Sequence, residues 1–171
     1  MKKFLVIGNG NAVTYKEIFP LIKENKMWLG ISTNGSNRWF RVPNNYIHRN
    51  NAAGYKEQDG KKYLFVNGIM WFTNMDHSKR HEKIDLYKHY NPEEYPKYDN
   101  YDAIEVSKTC EIPMDYDGVM GVPITFLDKY CPEQFEIIGD ACHGSDHQWD
   151  YFKPIINGKL IFKRILIKKI S

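Results

Sequence analysis

Cysteine is scarce: Cys110, Cys131 and Cys142 are the three in 171 residues, and no two form a C-x-x-C pair. An odd, scattered set argues against a disulfide framework and fits a reducing compartment, so the expected location is the cytoplasm. No apolar run approaches the roughly 20 residues that a membrane-spanning helix needs. The apolar stretch after Met1-Lys2-Lys3 stops at Gly8, too soon for a signal-peptide core. Neither sign of charge dominates: 24 Lys and Arg stand against 21 Asp and Glu, a net of +3. That balance permits nucleic-acid binding without demanding it. Internal repeats and low-complexity tracts are absent too, which leaves an ordinary globular chain.

What is present supports that class. Hydrophobic residues make up 42% and charged residues 26%, enough for one domain or two small modules sharing a core. Aromatic residues reach 15%, rich in Tyr and Trp. Such rings fill cores and also stack on bases, core and surface packing being the plainer reading.

Lys3 to Gly8 reads as a strand covered on both faces, the pattern of an α/β sheet. It opens the chain almost at once, so a further portion is expected upstream. The Gly8-Asn9-Gly10-Asn11-Ala12 loop follows, and Thr14 with Glu17 fits a capping box. Tyr15, Ile18, Phe19 and Ile22 recur at helical spacing. Pro20 implies a kink or a helix that starts near it, and Asn25 is a plausible stop. Met27–Ser32 reads as a second strand, with Trp39–Val42 as a possible extension. Residues 43–61 read as a long loop. Lys62–Val66 and Ile69–Thr73 read as strands around an Asn67-Gly68 turn, and this region is expected to pair with the Met27–Val42 region as a long antiparallel arm joined by the 43–61 loop. A helix is possible over Ser78–Tyr90 and a short strand over Ala103–Ser107. Near the end, Asn157-Gly158 signals a hairpin before a last strand, Arg164–Ile170.

The chemistry-bearing constellations are few. The Gly8–Ala12 loop lies between a strand and a helix, where phosphates bind. The dinucleotide pattern, however, needs a third glycine where Val13 stands, and a ribose-binding acid that residues 28–33 lack. A tight strand-to-helix turn is the plainer reading. Cys142, His143, Asp146 and His147 cluster without a zinc spacing, so a polar surface loop is favoured and no metal site is expected. The remaining histidines, His48, His77, His81 and His89, lie in polar segments and suggest no catalytic pair. Trp71-Phe72-Thr73-Asn74 ends a strand and runs into Lys79-Arg80, aromatics followed by cations that suit base stacking and phosphate neutralisation. One core aromatic and a solvated turn explain it equally well. Arg38, Arg41 and Arg49 stand among Asn, Trp and Tyr, and Arg and Asn are the usual readers of base edges.

Several strings taken together are characteristic. Lys3–Asn9 with Asn11–Ile22, Trp71–Asn74, Lys97–Ile104, Asp115–Tyr130, and the ending Asn157–Lys159 with Arg164–Lys168 resemble the EcoRI-type adenine-specific DNA methyltransferase family, in order and over nearly the whole chain. The resemblance implies a bacterial restriction–modification enzyme that methylates the exocyclic amine of adenine in duplex DNA, with S-adenosylmethionine as donor. It also implies a Rossmann-like sheet whose first half holds the donor, and a later Asn/Asp-Pro-Pro-aromatic loop that grips the amine. Both are expected before the opening strand. Here the Asn-Pro dipeptide is Asn91-Pro92, followed by Glu93-Glu94, and no Asn-Pro-Pro-Phe occurs. An amine lone pair must be freed by acceptors beside the donor, so a chain without that loop is expected to be inactive alone.

The expected fold is therefore α/β: a partial Rossmann-like methyltransferase sheet of late strands and one helix, then a mixed, β-rich C-terminal recognition segment. Residues 1–75 would be the remnant of the catalytic domain and 76–171 the target-recognition segment. The expected DNA-binding residues are Arg38, Arg41, Trp71, Asn74, Lys79 and Arg80, with Trp71–Asn74 lining the pocket of a flipped adenine. No catalytic, donor-binding or metal residue is expected within the chain. The expected partners are double-stranded DNA and the missing N-terminal portion or a partner subunit, with no membrane. A homodimer through the open sheet edge is a further expectation. The alternatives are a stand-alone DNA-binding module without catalysis and a small nucleotide-binding protein using the Gly8–Ala12 loop.

Overall fold

The structure is a computed structural model that describes residues 2–31, 36–47, 54–144 and 147–170. Arg49, His48 and Asp146, all singled out above, lie outside the described residues. The described part is mixed α/β and mostly strand. In chain order the elements are β1 (Leu5–Asn9), α1 (Phe19–Lys23), β2 (Trp28–Leu29), β3 (Ser36–Val42), β4 (Tyr55–Gln58), β5 (Lys61–Thr73), β6 (Ile104–Glu105), β7 (Met120–Pro123), β8 (Phe135–Ala141), β9 (Asp150–Tyr151), β10 (Ile155–Ile156), β11 (Lys159–Leu160) and β12 (Arg164–Lys169).

The first sheet is organised around β5. At its C-terminal end β5 lies between β1 and β2, antiparallel to both, with Leu5 and Trp28 each opposite Thr73. β1 and β2 therefore run parallel, joined through a 3-10 turn over Gly10–Thr14 and then α1. At its other end β5 lies between β3 and β4, and these three strands form the expected antiparallel arm. The arm's turn is Asp59-Gly60, both at positive φ, the requirement of a tight type I′ hairpin.

Five local expectations are corrected. β1 is a half-exposed edge strand, with Leu5, Val6 and Ile7 near 50% exposure, and not a strand covered on both faces. β5 runs straight through Asn67-Gly68; Gly68 is at positive φ, and the register against β3 slips by one residue beside it. This is a bulge in a continuous strand. The long loop over 43–61 contains β4. Over 78–90 a single 3-10 turn, Ser78–His81, replaces the expected helix. The capping box does not form either: the Thr14 hydroxyl donates to Asn11 O, and the α1 N-cap, Ile18, has no side-chain cap. The helix does begin beside Pro20 and stop at Asn25, which is at positive φ.

The second sheet has the order β6-β7-β12-β8-β9, with β12 antiparallel to both neighbours and parallel pairs at the two edges. The β10–β11 hairpin turns at Asn157-Gly158 as expected. One continuous core joins the two sheets. Val13, Phe19, Ile22, Leu29 and Phe72 from the first half pack into the same cluster as Ile104, Met120, Phe126, Phe135, Ile165 and Ile167. Phe19 of α1, fully buried, lies 5.2 Å from the Trp149 ring. Burying a side chain of this size contributes about 1.5–3 kcal/mol, so the halves are cemented, not merely tethered.

Candidate functional site

The six residues expected to bind DNA fall into two separate places. Arg38 and Arg41 are on the arm, opposite Val66 and Tyr63 of β5. Side chains alternate along a strand, so residues three apart project from opposite faces. Arg41 shares its face with Tyr63, and Arg38 belongs to the other. Trp71 and Asn74 lie at the far end of β5, roughly 26 Å from the Arg41 row at the usual strand rise.

At that far end the side chains hold the fold. The Asn74 carbonyl accepts from Phe4 N at 2.8 Å and its amide donates to Lys2 O at 2.8 Å, pinning the chain before β1. Trp71 is half-buried, and its carbonyl accepts from Gly30 N at 2.9 Å. Lys79 Nζ pairs with Asp128 at 2.7 Å, tying the segment after β5 to the turn after β7. The Arg80 guanidinium stacks 3.7 Å over the Trp28 ring and donates to Asn25 at 2.8 Å, while Trp28 Nε1 donates to Met75 O. Burial there lowers the Arg80 pKa below its ordinary value.

The arm carries residues that composition alone did not single out. Lys56 Nζ lies 4.7 Å from the Trp39 ring centre and 5.5 Å from that of Tyr63. Trp39 and Phe65 pack at 5.1 Å. Lys61, Tyr63 and Phe65 alternate along β5; the Asp59-Gly60 turn is the signal that would have placed Lys56 against Tyr63.

A cleft of about 420 Å³ opens at the C-terminal ends of the parallel strands β1 and β2, where α/β sheets bind their ligands. Asn9, Asn11 and Asn67 supply its polar wall, and Thr125 and Asp128 face them from the second half. Asn9 also caps the 3-10 turn by accepting from Asn11 N at 2.9 Å. Asparagine amides both donate and accept, the combination that recognises an adenine edge. Among the described residues Asp128 is the one titratable group in this lining, and Lys79 engages it. The described residues of the cleft thus offer recognition without an acid–base pair. A second opening of about 560 Å³ lies beside α1 and includes His143 and His147, the latter stacked on Trp149 at 5.1 Å. Among the described residues no group of three or more His, Cys, Asp or Glu is arranged to hold a metal ion. None of the described helices is long and apolar enough to cross a membrane.

These features define an α/β protein with a polar cleft at its strand ends and an aromatic, cationic arm. Over residues 1–170 the chain matches the family described as Adenine-specific methyltransferase EcoRI, and it belongs to that family. It is 48% identical to Type II methyltransferase M.EcoRI of Escherichia coli over 169 residues, which is 98% of this chain and 50% of that protein. Type II methyltransferase M.MpnI of Mycoplasma pneumoniae is 42% identical over 80% of this chain and 44% of its own length. Type II methyltransferase M.MgeORF184P of Mycoplasma genitalium is 36% identical over 98% of this chain and 57% of its own. The chain therefore spans about half the length of these relatives. No solved structure matches it.

Proposed function

We propose that this chain is the C-terminal, DNA-side portion of an adenine-N6 DNA methyltransferase of a restriction–modification system, and that it does not transfer methyl groups alone. The observation that carries this reading is the match to M.EcoRI over 98% of the chain but half of the relative. The sheet supports it. A β1–α1–β2 crossover with antiparallel β5 inserted suits the late part of a Rossmann-like methyltransferase sheet. β1 pairs with β5 alone among the described residues, leaving an edge on which the remaining strands would continue.

S-adenosylmethionine would be the methyl donor of the complete enzyme. The strand-end cleft does not fit it: a sulfonium and ribose hydroxyls want a carboxylate acceptor, and the single carboxylate among its described residues is already paired with Lys79 at 2.7 Å. No Asn-Pro-Pro-aromatic loop is available to free the amine lone pair. The role assigned to this chain is holding duplex DNA. Of the six residues, Arg41 on the arm is the contact, whereas Arg38 projects from the arm's opposite face and Trp71, Asn74, Lys79 and Arg80 act by shaping the body. The cytoplasm is the proposed location, and a homodimer through β1 is the form expected where the rest of the enzyme is lacking.

Titrating the chain with duplex DNA at several salt concentrations tests the reading. Affinity that falls linearly on a logarithmic salt scale is expected. No binding even at low ionic strength would overturn it.

A further inference from the structure

We infer that the cationic, aromatic face of the β3–β5–β4 arm docks on the sugar–phosphate backbone of duplex DNA, with Arg41, Lys56 and Lys61 as the phosphate contacts. The inference rests on the DNA-side reading above and adds a location and a mode of contact to it.

Register puts the three cations together. Arg41 and Lys56 stand on either side of Tyr63, one on each neighbouring strand, and Lys61 is two residues before Tyr63 on the same face. Trp39 and Phe65 form the next row. Charge is sorted between the faces. Glu57, the acid of these three strands, projects from the opposite face, where it is 3.9 Å from Lys62. The strands thus give one face three cations and no carboxylate. Folding does not account for the rings there: Trp39, Tyr63 and Phe65 belong to neither buried cluster, and Trp39 is 42% exposed.

The chemistry fits a regular polyanion. Lys56 is held over two rings, so its ammonium loses little freedom on meeting a phosphate. Three strands span roughly 10 Å of backbone, and side chains carry that beyond a major groove about 12 Å wide. The face therefore lies along the phosphates instead of entering the groove. Over about 10 Å a duplex presents on the order of six phosphates, enough for all three cations. Contacts of this kind position the protein without reading sequence.

The test is salt-dependent binding of the full chain and its variants to two duplexes of unrelated sequence. Replacing Arg41, Lys56 and Lys61 together with Ala is expected to make the plot of log K against log salt shallower by about 2.7 and to weaken both duplexes equally. Lys62→Ala removes the same charge from the other face and is expected to leave the slope unchanged. Should the triple variant fail to fold, Arg41→Gln with Lys61→Gln spares the Lys56 ring packing, and the slope is expected to fall by about 1.8. A folded variant with the unmodified slope overturns this inference and leaves the DNA-side reading standing. An unmodified chain that does not bind DNA overturns both. Equal affinity for poly-glutamate overturns the assignment to DNA.

Discussion

Arg164 and Glu105 lie two strands apart in the second sheet and still meet: Arg164 Nη2 is 2.5 Å from Glu105 Oε1, across the intervening β7. Arg164 Nε lies 3.0 and 3.1 Å from the two carboxylate oxygens, and Tyr98 Oη donates to Glu105 at 2.6 Å. The bridge passes over Gly121, where a Cβ would be 1.9 Å from Tyr98 Oη. Glu105 is buried, so each partner is essential to the other's desolvation. Glu105→Gln is expected to leave a buried cation uncompensated and to cost about 3–5 kcal/mol. Denaturant midpoints of the two proteins measure it; a loss under about 1 kcal/mol, the scale of an exposed pair, would contradict it.

Asp140 on β8 is fully buried, and neither carboxylate oxygen has a hydrogen-bond partner that meets normal geometry. Burial pushes its carboxyl up to about 6, against a smaller opposing pull from the Cys142 thiol. A raised carboxyl is neutral in both states below the ordinary value of 3.8, and its cost develops as pH climbs from there to about 6. Above that window the penalty is constant, at most about 3 kcal/mol. Asp140→Asn is therefore expected to remove a fall in stability between these pH values. Parallel stability–pH curves for the two proteins would refute this.

His81 clasps the segment after β5 to the turn before β8, its two ring nitrogens each 2.7 Å from a carboxylate, Asp76 on one side and Glu133 on the other. Hydrogen bonds to Asp76 and then Glu133 raise its pKa above the ordinary 6.5. The clasp is thus fully present below that value and is released as pH rises through the folded-state pKa. The site is exposed, so the effect is small and screened by salt. Melting temperature measured against pH is expected to decline less on the alkaline side for His81→Gln than for the unmodified chain. Identical declines would remove the clasp from the account.

The open side of β1 presents Leu5, Val6 and Ile7 at about half exposure. An apolar edge of this kind invites another strand. Sedimentation of the chain alone is expected to show concentration-dependent association that Val6→Lys suppresses. A clean monomer at all concentrations would argue against pairing through this edge.

Local chemistry was readable in the sequence where it was self-sufficient. Asn157-Gly158 makes its turn because both residues take positive φ between two short strands. The same dipeptide at Asn67-Gly68 misleads: Gly68 alone takes positive φ, and neighbours on both sides keep β5 straight. The charged stretch after Asp76 has helical composition, but its side chains are committed to distant partners, Lys79 to Asp128 and Arg80 to Trp28. Arg41 could be chosen by residue type. Lys56 and Lys61 could not, because their common face depends on a register set by Asp59-Gly60. The exposure of β1 was hidden for a similar reason, since an apolar run does not reveal which strands accompany it.

This chain is proposed to hold DNA without methylating it. Methyl transfer from S-adenosylmethionine labelled in its methyl group to adenine-containing duplex DNA, with the purified chain as the sole protein, tests that most directly. No label is expected in the DNA under conditions where the chain binds it. Label on the adenine exocyclic nitrogen, supplied by this polypeptide alone, would contradict it.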